Sequence, residues 1–332
     1  MIAKARLAAL VAAILPLAAQ VAVEIALPQP LGERIARALS DQLGGAGRVE
    51  VALQSSLRAE PGSVVVGDWV SLQRLQRLHP FVPLAPALDA STMPLPIRRS
   101  LDGTIALPWS LTYCVVEPLA ETAEPWSFER LALASELDTG LRMAPPEVDA
   151  GPWILSMAEL HQQGRPETAI FGLWTALDAR IAVYPRDYDS LVAELVQRTA
   201  TAVVMPSPLV SSPLPGILAT MPVRALDGAL PIGLVAIDGG DVAASSALVA
   251  RICEPAVRTA VRERVGLAEP AATDAELSPE MVSPALSHFE QRIRGQGRSV
   301  ERIADALDYV FLLLFGVVLC VLWFRNRKEN PL

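Results

Sequence analysis

The apolar positions of the chain alternate between short continuous runs and longer segments in which they recur every three or four residues. The runs Val23–Ala26, Val49–Leu53 and Ser63–Val66 are short and rich in valine, which is typical of buried strands. Between the first two runs, Leu31–Leu43 places an apolar residue at every fourth position, which predicts an amphipathic helix. Strand, helix and strand in this order indicate an α/β protein with a parallel, doubly wound sheet, in which ligands bind at the carboxyl ends of strands.

The segment 101–118 has the pattern of an extended crossing that bends once. Its β-rich runs, Thr104–Leu107 and Leu111–Val116, are joined through Pro108-Trp109-Ser110. Because proline cannot donate to a β-ladder, Pro108 predicts a bend between two strands. Trp109 and Ser110 at this bend are therefore candidates for lining a cleft, although any single tryptophan is more often a core side chain.

The alternation resumes after this crossing. The pattern predicts helices at Phe128–Leu133, 151–160, Ala169–Leu177, Ser190–Arg198, Val242–Cys253 and Pro255–Val265, and strands at Leu141–Ala144, Ile181–Tyr184, Thr201–Met205 and Ile232–Ile237. Ser127 is a predicted N-cap of the first of these helices. A segment rich in Pro, Ala, Glu and Ser follows, and residues 268–307 are predicted to form a linker and a helical stalk.

Both ends of the chain have the composition of membrane-directed segments. Lys4 and Arg6 precede an apolar run, so residues 1–23 are predicted to be a signal peptide or an N-terminal anchor. Near the other end, Tyr309–Phe324 contains no charged residue and a basic cluster follows it directly. We expect a transmembrane helix over 308–325, with residues 326–332 in the cytoplasm and the body in the periplasm.

The charge of the chain excludes one class of partner. The net charge is −8, and each end contributes two positive charges, which leaves −12 for the body. Nucleic-acid binding requires a basic surface, so no nucleic-acid partner is expected.

The sequence contains no recognisable catalytic or metal-binding pattern. The three histidines are isolated, the three cysteines are widely spaced, and the only lysines, Lys4 and Lys328, lie outside the body. These features exclude a Walker or Schiff-base lysine in the body and provide neither a disulfide framework nor a metal motif. We expect a protein that is not an enzyme and has no cofactor.

Four stretches between Val23 and Leu267 carry a family resemblance. They are SVVVGDWVSLQRLQRLHPFVPL, LDGTIALPWSLTYCVV, EPWSFERL followed by LDTGLRMAPPEVDAGPWIL, and ASSALVARICEPAVRTAVRERVGL. Their order and spacing resemble the family 1 extracellular solute-binding proteins, which are periplasmic binding proteins of type 2, here of the polyamine and thiamine type that serves ABC importers.

The resemblance implies a two-lobed clamshell of α/β lobes with a cleft between them. Residues 24–107 and 222–267 would form the first lobe, and residues 108–221 the second, with chain crossings near 107–114 and 206–222. The expected function is binding of a small polar ligand, which an ABC permease in the membrane would receive.

Positional arguments and the resemblance together suggest six ligand-binding residues. These are Asp68, Trp69, Trp109, Ser110, Tyr113 and Trp153. An acidic body and indole faces favour a cation, and the predicted helix start near Trp153 favours an anionic group, so an amine or a zwitterion is expected. The paired tyrosines of ferric-ion binders in this broad class are absent.

A second hypothesis explains the same sequence without a ligand. Each tryptophan is individually more often a packing residue than a ligand contact, and a C-terminal anchor is unusual for this class of protein. The clamshell would then be a degenerate copy that has a structural or assembly role in an integral membrane complex.

Overall fold

The structure, a computed structural model, describes most of the body of the chain. The described residues are 21–44, 47–51, 59–84, 98–99, 103–117, 125–137, 140–181, 183–211, 221–270, 279–289, 291 and 315. Residues 1–282 group into one unit and residues 283–332 into another. The predicted N-terminal segment lies outside the described residues up to residue 20, and so do the cytoplasmic tail and nearly all of the stalk and the transmembrane helix.

Eight described strands form a mixed sheet. They are β1 (Val21–Ala26), β2 (Gly47–Val51), β3 (Val64–Asp68), β4 (Arg98–Arg99), β5 (Ala106–Val116), β6 (Leu141–Arg142), β7 (Ala202–Pro206) and β8 (Val223–Ala236). The sheet order is β2-β1-β3-β8-β5-β7-β6, and β4 pairs with β5. Pairing is parallel among β1, β2 and β3 and between β6 and β7, and antiparallel elsewhere. The predicted α/β class is confirmed, and the three strands from which a parallel sheet was predicted, β1, β2 and β3, are parallel.

The helices lie between these strands in chain order. They are α1 (Leu31–Leu43), α2 (Trp69–Gln76), α3 (Phe128–Leu133), α4 (Gly151–Gln162), α5 (Glu167–Arg180), α6 (Tyr188–Val196), α7 (Ser207–Ser211), α8 (Val242–Cys253), α9 (Pro255–Val265) and α10 (Pro279–His288). The start of α3 is as predicted, because the Ser127 hydroxyl accepts a hydrogen bond from the backbone N–H of Arg130 at 3.1 Å. α1 ends at Gly44, whose φ of 56° is left-handed and suits glycine.

Two predicted strand boundaries differ from the structure for local reasons. Pro108 does not divide β5, because its missing donor falls at a register irregularity between Ala106 and Trp109. The expected strand at Ile181–Tyr184 is wrong. Ile181 only forms an isolated bridge to Gly140, and the chain then continues into α6.

The long strands β5 and β8 join the two predicted lobes into one hydrogen-bonded sheet. The C-terminal part of β8 pairs with β3, and its first residues pair with the end of β5, which also carries β7. β8 (Val223–Ala236) thus leads the chain back to β3, whereas the predicted crossings near 107–114 and 206–222 stay predictions, and residues 212–220 of the second lie outside the described residues. Ala268, the first residue of the predicted linker, forms a bridge with Ser110. The division into lobes at the stated boundaries stays a prediction.

None of the helices in the described part of the chain combines the length and the hydrophobicity that crossing a membrane requires.

A buried ion pair closes the end of the β5–β8 ladder and supplies the first test. Arg224 Nη2 lies 2.8 Å from Glu117 Oε2, with less than a tenth of either side chain exposed. Replacing Glu117 by Ala leaves a buried guanidinium without its carboxylate, so we expect the free energy of unfolding to fall by about 3–5 kcal/mol. The measurement is urea unfolding of the purified full chain.

The matched control is Glu33→Ala, which removes the exposed pair between Glu33 and Arg37 on α1. That change should alter the free energy of unfolding by only about 0.5 kcal/mol or less. Equal effects of the two variants would show that the Arg224–Glu117 pair does not stabilise the sheet.

Candidate functional site

The register of the sheet brings two strand ends to the middle of β5. Asp68, the last residue of β3, pairs with Ile232, which pairs in turn with Trp109. β7 runs in the direction opposite to β3 and ends at Pro206, which pairs with Tyr113. The two carboxyl ends thus approach the same stretch of β5 from opposite sides. The positions of β5 that they approach, Trp109 and Tyr113, are four residues, or about 13 Å, apart along the strand. This arrangement defines the candidate site.

Asp68 has two roles at the end of β3. Its carboxylate accepts a hydrogen bond from the backbone N–H of Ser71 at 2.9 Å and another from the Ser71 hydroxyl, and so caps α2. The carboxyl is almost completely buried, and burial raises its pKa although both bonds from Ser71 oppose the shift. A positive group that entered the site would favour the ionised form.

A second buried carboxyl, Asp149, organises the side of the site next to β7. The hydroxyl of Tyr113 donates to it at 2.8 Å, the hydroxyl of Tyr188 also donates to it, and the backbone N–H of Gly151 donates at 2.8 Å. Burial raises the pKa of Asp149, the three hydrogen bonds lower it, and the nearby charge of Asp68 raises it further. Asp68, Tyr113, Asp149 and Tyr188 are called the central acid–tyrosine cluster below.

The two phenols of the cluster are held in the neutral form. Burial raises the pKa of Tyr113 and of Tyr188 well above its ordinary value, and the Asp149 carboxylate raises both further. Both hydroxyls therefore remain donors near neutral pH. In the described part of the chain, no group of three or more His, Cys, Asp or Glu side chains is arranged to hold a metal ion.

Trp109 and Trp153 do not join the cluster. The Trp109 indole N–H donates to the carbonyl of Arg258 in α9 at 3.1 Å, and the Trp153 indole N–H donates to the carbonyl of Ala144 at 2.9 Å. Both side chains are fully buried, and Trp153 packs edge-on against Trp174 with ring centroids 5.7 Å apart. The expectation that these tryptophans face a common cleft is wrong in this structure, because each one is packed into the core.

The other two predicted residues lie near the strand ends. Ser110 is buried, and its backbone exchanges hydrogen bonds with Ala268 at 3.0 and 2.9 Å. Trp69 begins α2 directly after Asp68, and its buried indole N–H has no acceptor among the described residues. Of the six predicted residues, the structure thus places only Asp68 and Tyr113 in the polar cluster.

Sequence reasoning missed Asp149, Tyr188 and Arg34. Asp149 and Tyr188 are 39 positions apart, a separation that no short motif reveals. Arg34, in the first turn of α1, donates from Nη1 to the carbonyl of Pro208 in α7 at 2.6 Å. α1 follows β1, which ends beside β3, and α7 follows β7, so this contact joins the two sides of the site.

Comparison with solved structures places the fold among binding proteins. Iron-bound HitA of Pseudomonas aeruginosa matches with a TM-score of 0.60 and 14% identity, over 81% of this chain and 97% of that one. The ferric binding protein of Campylobacter jejuni matches with a TM-score of 0.62 and 11% identity, over 83% and 99% of the two chains. The fold is that of a type 2 periplasmic binding protein.

A third match has both a metal and an organic acid bound. Trichodesmium IdiA (FutA), in complex with iron and citrate, matches with a TM-score of 0.58 and 10% identity, over 82% of this chain and 98% of that one. Iron is named in the descriptions of two of these neighbours, and the third is described as a ferric binding protein. No protein-family model and no curated protein sequence matches the chain.

The tight packing at Gly151 gives a test of the cluster. A Cβ at this position would collide with the hydroxyl of Tyr113 and lie 2.6 Å from its Cζ. Because the phenol would have to leave Asp149, we expect Gly151→Ala to lower the free energy of unfolding by about 1–3 kcal/mol. Chemical denaturation measures the effect.

Gly172→Ala in α5 is the matched control, since no atom lies within 4 Å of its added Cβ. There the methyl group should stabilise the helix by about 0.5–1 kcal/mol. Stabilisation by both changes would contradict the packing described around Asp149.

The raised pKa of Asp68 predicts a pH dependence of stability. A carboxyl whose pKa is higher in the folded than in the unfolded state stabilises the fold below its unfolded pKa, and this contribution is lost as pH rises through the folded pKa. Asp68→Asn keeps a capping residue but cannot ionise. We therefore expect the stability of the wild type relative to this variant to decline as pH rises above about 4. Urea unfolding at a series of pH values tests this, and a constant difference would refute it.

Proposed function

We propose that the chain is an extracytoplasmic solute-binding protein that holds a small polar ligand at the central acid–tyrosine cluster. The observation that carries the proposal is the meeting of two strand ends, Asp68 of β3 and Pro206 of β7, on opposite sides of β5. Ligands of open α/β sheets bind outside the carboxyl ends of strands, and here two such ends flank one stretch of β5. Similarity to proteins named as ferric-ion binders supports a binding role.

The chemistry of the cluster favours a ligand with a positive group. Asp68 and Asp149 are two buried carboxyls, and the body around them carries a net charge of −12 by the sequence. A buried cation such as an ammonium group would offset the unfavourable burial of their charges. The ligand is therefore proposed to be an amine or a zwitterion.

The cluster is chemically less suited to ferric iron, the ion for which the ferric binding protein of Campylobacter jejuni is named. A ferric site built on phenols needs them deprotonated, whereas burial and Asp149 raise the pKa of Tyr113 and Tyr188 well above the ordinary value. Both hydroxyls also donate their protons in hydrogen bonds to Asp149. An organic cation requires no such deprotonation.

The membrane and a permease complete the proposal. The apolar segment near the C-terminus would tether the body to the outer face of the cytoplasmic membrane, in keeping with the basic residues that follow it. A tethered solute-binding protein would then deliver its ligand to an ABC permease in the same membrane.

A structural role is the second candidate, and a specific observation favours it. Asp149 already accepts three hydrogen bonds from protein donors, and the indole N–H groups of Trp109 and Trp153 donate to backbone carbonyls. A cluster that is satisfied in this way stabilises the fold without any ligand. The chain would then act as a scaffold in a membrane complex.

A ligand screen separates the two candidates. The full chain is heated in the presence of amines, amino acids, sugars and ferric citrate, and hits are measured by calorimetry. A ligand at one hundred times its dissociation constant should add about 2.7 kcal/mol of stability. We expect amines or amino acids to stabilise the protein and Asp68→Asn to weaken that binding about tenfold or more, as expected for loss of a charged hydrogen-bond partner.

Asp178→Asn provides the control, since Asp178 accepts a hydrogen bond from Tyr184 at 2.6 Å, an acid–tyrosine pair outside the cluster. Binding should be unchanged in this variant. If no compound stabilises the wild type, the scaffold role is the better account, and equal losses in both variants would place the ligand elsewhere.

A further inference from the structure

Arg34 is a charged side chain placed between the two sides of the site. It lies in the first turn of α1, and the end of β1 that precedes this helix pairs with Gly67, next to Asp68. Its guanidinium reaches the carbonyl of Pro208, two residues beyond the end of β7. Arg34 thus lies at the same strand ends that define the candidate site.

The charge of Arg34 is not balanced by the protein that surrounds it. Among the described residues, its side chain makes the single hydrogen bond to Pro208 and no ion pair. A guanidinium has five N–H donors, so most of those of Arg34 have no acceptor among the described residues.

The electrostatic environment of Arg34 is also unfavourable to a cation. Partial burial lowers its pKa, and the neighbouring positive charge of Arg37 lowers it further. Arg37, one turn of helix closer to the C-terminus, differs in this respect, because it is exposed and pairs with Glu33 at 3.2 Å. A half-buried cation with spare donors is stabilised by an anion that accepts them.

We propose that Arg34 binds an acidic group of the ligand, a carboxylate or a phosphate, at the junction of α1 and α7. The inference rests on the proposed solute-binding function and narrows the ligand to one that carries an anionic group. The carbonyl of Pro208 holds one edge of the guanidinium, which fixes its plane, and two parallel N–H groups on a guanidinium match the two oxygens of a carboxylate. Because the carboxyls of the central acid–tyrosine cluster would take the positive group, the site binds a zwitterion in preference to a simple amine.

The test compares Arg34 with its neighbour on the same helix. Calorimetry is carried out on the full chain with four probes: citrate, inorganic phosphate, an α-amino acid mixture, and putrescine, which has amines but no acid. We expect a probe with an acidic group to bind the wild type and Arg34→Gln to weaken it about tenfold or more, as for loss of a charged hydrogen bond. Arg34→Lys, which keeps the charge but loses the planar fork, should lose affinity to a smaller extent.

Arg37→Gln is the control and should bind as the wild type does, since its guanidinium is exposed and already paired. Thermal unfolding of each variant without ligand shows whether the variant remains folded. If Arg34→Gln does not fold, the test is carried out with Arg34→Lys alone. Undiminished affinity of an acidic probe for both folded Arg34 variants overturns the inference and leaves the solute-binding function intact. Stronger binding of putrescine than of the acidic probes would also overturn the inference and leave the solute-binding function intact. Failure of every probe in this panel and in the wider ligand screen on the wild type overturns the proposed function, and the inference with it.

Discussion

The antiparallel pairing of β5 with β8 is the constraint on which the rest of the body depends. The ladder runs from Ala106 opposite Leu234 to Val116 opposite Val223. At one end β8 pairs with β3, which leads on to β1 and β2, and at the other end β5 pairs with β7, which pairs with β6. Each half of the sheet is therefore attached to the other only through these two strands among those described. Because β3 and β7 reach the pair from opposite directions, the same constraint places both of their carboxyl ends at its middle.

Burial and hydrogen bonding oppose each other at that middle. Removing a carboxylate from water is unfavourable by several kcal/mol, whereas each hydrogen bond to a charged group returns about 1.5–3 kcal/mol. Asp149 receives three such bonds, and burial is still the largest influence on its pKa. Burial therefore outweighs the hydrogen bonds in its effect on the pKa of Asp149, while the hydrogen bonds orient Tyr113, Asp149 and Tyr188.

The sequence predicted the local features of this arrangement better than its contacts. Val-rich runs located β1 and β3, and the hydroxyl of Ser127 marked the start of α3, because these signals depend on neighbours within a few residues. The side-chain environment of Trp109 could not be predicted in this way. Its partner is a carbonyl 149 positions away, and a tryptophan beside a bend is equally suited to a cleft or a core. The Asp149–Tyr188 contact depends on tertiary folding for the same reason.

Carboxyls lie on both sides of the candidate site, and one guanidinium lies between the two sides. Asp68 lies at the end of β3 and Asp149 lies beyond β6, and the charge of Asp68 raises the pKa of Asp149. Arg34 enters from α1 and is held by a carbonyl of α7, with no carboxylate partner among the described residues. A protein that only stabilised its own sheet would gain by pairing such charges directly, since an unpaired, partly buried guanidinium lowers stability. These charges of both signs are the basis of the proposed zwitterion, a ligand whose two groups would balance them.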